Sequence, residues 1–135
     1  MSSVTATLTR TPSRLLRFAM RLDAGLVGLV GIPFVALAGQ LEALTGVPRA
    51  WDLGFGIVFL VYCAVFYPLA GRANVRPGGV AIVVANALFT VLFLGLAAAS
   101  GWPLTSWGYA LLIAGAGYTA VIGAVQYAGL RRITV

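Results

Sequence analysis

The sequence predicts an all-α membrane protein: an up-down bundle of four transmembrane helices, both termini cytoplasmic, preceded by a short basic amphipathic segment. Three observations lead there. Hydrophobic side chains make up 61% of the 135 residues and charged ones 9%, more apolar surface than a soluble domain of this size can hide from water. Four apolar runs, each close to the ~20 residues that cross a bilayer, use up most of the chain. All the basic residues are Arg, and they cluster at alternate ends of those runs.

Residues 1–11 are rich in Ser and Thr and read as a flexible polar tail, leaving residues 12–132 as a single four-helix domain. Thr11-Pro12 has the chemistry of a helix start, with Thr11 as the cap and Pro12 in the first helical position. Arg10, Arg14, Arg17 and Arg21 then fall on one helical face. Such a segment either lies along the headgroups as an amphipathic helix or forms the basic flank of the first span.

The first span is expected over about residues 22–44. Gly25, Gly28 and Gly31 flatten one strip of it for close helix packing, and Pro33 removes a backbone donor and should bend it. The basic start and Ala36-Leu37-Ala38 before Gly39 also resemble a secretory signal with its cleavage site. Cleavage there would leave the second span without a hairpin partner, so the segment is read as a span. The remaining spans are expected over about residues 53–70, 80–100 and 109–129.

Two turns, Gly46-x-Pro48-x-x-Trp51 and Gly101-x-Pro103-x-x-x-Trp107, separate the members of two successive helix hairpins. Their likeness fits either a diverged internal repeat or convergence on the chemistry of membrane turns.

With the N-terminus inside, Arg10, Arg14, Arg17, Arg21, Arg72, Arg76, Arg131 and Arg132 are all cytoplasmic and only Arg49 is outside. That asymmetry in short loops orients a multi-pass protein and places it in a bacterial inner membrane. The eight inner arginines are candidate contacts for anionic lipid headgroups. A net charge of +6 in a soluble protein would raise nucleic acid as a partner; here the arginines flank apolar spans, and lipid is the better match.

There is no His and a single Cys, Cys63. A His-ligated haem, a Cys/His zinc site, an intrachain disulfide and every Ser-His or Cys-His catalytic pair are thereby excluded. No metal site and no cofactor are expected.

Arg21-Leu-Asp23-Ala, Leu44-Thr-Gly-Val-Pro48, Tyr62, Arg72, Asn86, Trp102-x-Leu104-Thr105, Gly108, Gln126 and Leu130-Arg-Arg132 occur in that order along the chain. Together they resemble small four-helix integral membrane proteins common in actinobacteria, over about residues 17–132. Phe89 stands where that pattern often has Trp. The resemblance implies the fold and a membrane location, and no activity.

Three polar residues inside the spans are the candidate site: Asp23 at the boundary of the first span, with Asn86 and Gln126 about 5–10 Å deeper at ~1.5 Å per helical residue. They share one layer, either as a pocket for a headgroup, ion or proton, or as interhelical hydrogen bonds that fix register. Asp23 is expected to pair with Arg131 or Arg72. Tyr62, Tyr67, Tyr118 and Tyr127 are candidates to line a site for a lipophilic ligand, against the alternative that they anchor the interface. Ala116, Ala120, Ala124 and Ala128 form an i+4 ladder, read as a packing face inside the bundle rather than a dimer seam.

Small multidrug exporters need a carboxylate well inside the first span, and Asp23 reads as too near the edge. Members of the DoxX-like class share the size and hairpin layout, but no redox-capable cluster accompanies it here. The leading expectation is a protein without evident enzymatic chemistry, acting as an accessory, assembly or lipid-contacting structural component. Its partners would be the bilayer, another membrane protein or a second copy. The alternatives are a binder or carrier of a small lipophilic molecule in the cytoplasmic half of the bundle, and a DoxX-like redox accessory.

Overall fold

A computed structural model of the chain describes residues 2–133, with side chains for residues 12–133. The flexible 1–11 tail, the Thr11 cap and Arg10 on the basic face lie outside the described side chains. Five helices follow one another: α1 (Ser2–Ala36), α2 (Ala38–Thr45), α3 (Arg49–Leu69), α4 (Arg76–Ala99) and α5 (Ser106–Arg131). No strand occurs among the described residues. Four stretches, Pro12–Ala36, Arg49–Leu69, Arg76–Ala99 and Ser106–Arg131, are long and apolar enough to cross a membrane, the build of a multi-pass membrane protein. Phe18, Leu29, Leu88, Val91 and Val121 point outward, as side chains facing lipid do.

The first span differs from the sequence expectation. It covers Pro12–Ala36 rather than 22–44, because the arginine-bearing turns are part of the bundle. Leu16 and Met20 are wholly buried in a cluster with Tyr62, Ala70, Val75, Ile82 and Leu130, contributed by all four long helices and the α3–α4 loop. Residues 12–21 are therefore a packed part of α1, continuous with the rest of that helix. Arg17 is accommodated there by donating from Nη1 to Ala70 O (2.8 Å) and Arg72 O (2.7 Å), and from Nη2 to Ala73 O (3.3 Å). These carbonyls lie at and just beyond the C-terminus of α3, where helical partners run out and a cation is favoured.

Pro33 does not end α1; the chain leaves helical geometry four residues later, at Leu37 (φ −120°, ψ 26°). Leu37 N still bonds Pro33 O at 2.8 Å, and α2 starts at once. What was read as the end of the first span is thus a separate two-turn helix.

α1 packs chiefly on α3, and α4 on α5; α1 also meets α5, whereas the α3 and α4 backbones stay apart and the two helices meet through their rings. Small residues set the α1–α3 approach. A Cβ on Gly28 would stand 2.7 Å from Cys63 Sγ, and one on Gly56 would stand 2.9 Å from Gly31 O, so neither position admits a side chain. Gly25, the third residue of the expected strip, faces open space. The alanine ladder on α5 is also corrected: Ala116 is buried, but Ala120, Ala124 and Ala128 are exposed. A 3.6-residue turn carries an i+4 ladder steadily around the helix. The inward face of α5 is instead Leu112, Ala116, Thr119, Gln126 and Leu130.

At the end away from Arg17, α2 docks against the α4–α5 turn. Thr105 N donates to Thr45 O (3.0 Å), and Thr105 Oγ1 to Leu44 O (2.7 Å). Gly46 there has φ 79°, and a Cβ on it would lie 2.1 Å from Pro103 O. Gly108 is pressed as closely on Thr45 O, at 2.0 Å for its absent Cβ. The two Gly-Pro turns therefore lie against each other, with Trp51 packed on Trp102 at 5.0 Å and Trp107 exposed.

Candidate functional site: a buried carboxyl under an apolar cavity

Each long helix contributes to one polar layer. Asp23 of α1 is completely buried, and four hydrogen-bond donors converge on its carboxyl. Oδ2 accepts from the Tyr62 hydroxyl of α3, from Asn86 Nδ2 of α4 (3.0 Å) and from Gln126 Nε2 of α5 (2.9 Å). Oδ1 accepts from the Tyr118 hydroxyl of α5 (2.6 Å). Asn86 Nδ2 also donates to Gln126 Oε1 (2.7 Å), which ties α4 to α5 beside the acid. A buried polar group away from water needs partners, and this one has them from three other helices.

The structure thus brings Asp23, Asn86 and Gln126 together and adds two of the four candidate tyrosines. Tyr67 and Tyr127 are half exposed, and the Tyr127 ring carries the Arg131 guanidinium at 5.8 Å. They stand apart from the layer. Asp23 itself is corrected in two respects. It sits in the core instead of at the boundary, eleven residues beyond Pro12, about 16 Å along the helix axis. The partners described for it are neutral donors rather than Arg131 or Arg72. Its carboxyl is enclosed on every side.

Against this layer lies a cavity of about 380 Å³. Its wall is drawn from all four long helices and is almost wholly apolar: Phe34, Phe55, Phe59, Phe89, Phe93 and Leu112 are typical members. Tyr62, Asn86, Tyr118 and Thr119 line it where it meets the polar layer. Leu26 and Val30 of α1 and Ala114 of α5 also line it while being exposed on the bundle surface, so it reaches the outside between α1 and α5. Edge-to-face and stacked rings make its rigid side, with Phe55 on Phe59 at 5.9 Å and Phe89 on Phe93 at 5.8 Å. Across the gap between the α3 and α4 backbones, Phe55 meets Phe93 at 5.7 Å and Phe59 meets Phe89 at 6.1 Å.

Several members of the site were not singled out from the sequence. The i+4 pairs Phe55/Phe59 and Phe89/Phe93 were a legible signal, since they place two rings on one face of each helix. Thr119, whose hydroxyl pairs with that of Thr90 at 2.7 Å, had no such signal. Asp52 was also passed over. It is completely buried in the first turn of α3, and neither carboxyl oxygen has a partner. Among the described residues no group of His, Cys, Asp or Glu forms a metal site.

Compared with protein-family models, curated proteins and solved structures, the chain matches none. Function therefore has to be argued from this geometry.

Proposed function

We propose that the protein binds a small lipophilic molecule within its helix bundle. One observation carries the reading: a cavity of about 380 Å³ walled by the four long helices and reaching the bundle surface between two of them. Close-packed interiors leave few voids larger than a water molecule, whereas ligand pockets occupy about 300–1,000 Å³ and are mostly apolar with a few placed polar groups. An opening between α1 and α5 admits molecules dissolved in the bilayer. This reading takes the lipophile-binding alternative over the accessory or assembly role, which leaves the cavity without a purpose. It also moves the ligand from the cytoplasmic half to the region between the Asp23 layer and α2.

The test is recovery of the occupant. Protein extracted in mild detergent should release a lipophilic compound on denaturation, identified by mass spectrometry, and Ala114→Phe should lose most of it while melting normally. Equal recovery from both proteins would remove the cavity as the binding site.

The finer topology belongs to the same proposal: an up-down bundle in a bacterial inner membrane, both termini cytoplasmic, with anionic lipid on the exposed arginines. Its support is the arginine distribution, eight on one side against Arg49 on the other. In a Cys63→Ala background, a cysteine at Ala50 should react with an impermeant thiol reagent in intact cells, and one at Asn74 should react only after lysis. The opposite labelling would invert the orientation.

A further inference from the structure

We infer that the ligand carries a neutral hydroxyl, an alcohol or phenol, at the end that meets the polar layer, with the rest of the molecule hydrocarbon. This rests on the lipophile-binding reading above and names the chemical class of its ligand.

The argument is an accounting of hydrogens at the one polar patch of the cavity. Tyr62 and Tyr118 each have a single hydroxyl hydrogen, and both are directed at Asp23. Asn86 has two amide hydrogens, taken by Asp23 Oδ2 and Gln126 Oε1. Thr90 Oγ1 bonds Asn86 O (2.9 Å), and Thr119 Oγ1 bonds Gly115 O (3.0 Å) or Thr90 Oγ1. Every side-chain donor that lines the cavity is therefore committed within the protein. Some acceptors are not, among them the Tyr118 hydroxyl oxygen, which lines the cavity and receives no described hydrogen. Asn86 is 1% exposed and lines the cavity, yet no described residue donates to its Oδ1, and that oxygen is not fully enclosed by protein. The orientation of the amide is fixed by its neighbours: reversed, it would set Oδ1 against Asp23 Oδ2 and Gln126 Oε1.

A ligand entering this cavity meets a lone pair with no hydrogen to share. A ketone, ether or ester end would set oxygen against oxygen and gain nothing. A hydroxyl supplies the missing hydrogen and satisfies a buried acceptor that otherwise stays unpaired. An ammonium group supplies hydrogens too, but must shed its water among aromatic and aliphatic walls, and the carboxyl that would attract it is already surrounded by four donors.

The probes are para-hexylphenol and para-hexylanisole, which share ring and alkyl chain while a methyl replaces the hydroxyl hydrogen in the second, with hexylamine as the cationic arm. Binding to wild-type protein in lipid nanodiscs is measured as retention above empty discs. The phenol should bind about tenfold more tightly than the anisole, the effect of one buried hydrogen bond. Ala114→Phe should abolish retention of both. Asn86→Leu, where it folds, should erase the difference between them; a difference that survives would overturn the assignment to Asn86. Equal retention of phenol and anisole by the wild type would overturn the hydroxyl inference and leave the lipophile-binding reading standing. Hexylamine retained as tightly as the phenol would also overturn it, in favour of a cationic ligand. Retention of none of the three above empty discs would sink both.

Discussion

Two aspartates are buried completely in this bundle, and the chain treats them in opposite ways. Asp23, deep in α1, receives hydrogen bonds from α3, α4 and α5. Asp52, in the first turn of α3, has none. The difference follows from where each lies. A carboxyl in the middle of a span has no water to fall back on, so its partners must be built in. A carboxyl in the first turn of a helix sits at the positive end of the helix dipole, which favours it without a dedicated partner. The two regions of the molecule differ in the same spirit. Around Asp23 the helices are joined by side-chain hydrogen bonds; around Asp52 they are joined by backbone pressed on backbone at Gly46 and Gly108. Burial by itself does not show that an acid is structural.

The strongest way to break this contrast is to remove the inner carboxyl. Asp23→Leu leaves four donors facing hydrocarbon and should cost about 3 kcal/mol, read as a large fall in detergent melting temperature. Asp23→Asn should cost about 1 kcal/mol, because its amide oxygen can take the three Oδ2 donors while its NH2 donates to a reoriented Tyr118 hydroxyl. Equal losses for Leu and Asn would mean that charge, and not hydrogen bonding, holds the layer. Next comes the opposite end. Gly46→Ala forces a side chain into a left-handed conformation and against Pro103 O, and should cost about 2 kcal/mol. A smaller loss would show that the α2 contact yields easily. The least effect is expected at Asp52: Asp52→Asn should stay within about 0.5 kcal/mol of wild type, losing a modest dipole interaction and relieving an unpartnered charge. A loss as large as that of Asp23→Leu would erase the distinction between the two acids.

Much of the fold was legible because a bilayer imposes a length and a polarity that the sequence has to display. The second, third and fourth spans fall close to their expected positions for that reason. The first was displaced by a charge rule applied too strictly. Arg17 and Arg21 were taken to mark water, whereas the Arg17 guanidinium is received by the carbonyls of Ala70, Arg72 and Ala73. Asp23, counted from those arginines, was placed at the boundary for the same reason. Asn86 and Gln126 could be picked out as rare amides in apolar helices. Which tyrosines joined them could not be read, since the rotation of each helix decides whether Tyr62 or Tyr67, and Tyr118 or Tyr127, faces inward. That rotation is set by packing, and the small residues that decide it carry no sidedness in the sequence: Ala116 is inside while Ala120 and Ala124 are out.

The distribution of the Asp23 partners has a consequence for biogenesis. Helices of a nascent chain reach the membrane in order, and only Tyr62 belongs to the half made first. Asn86 arrives with α4; Tyr118 and Gln126 arrive with α5, the last to be synthesised. A chain that loses its final helix therefore displays an acid with two partners in place of four, and one that stalls before α4 displays it with one. Such an incomplete molecule carries a polar mark within the bilayer that the finished one conceals.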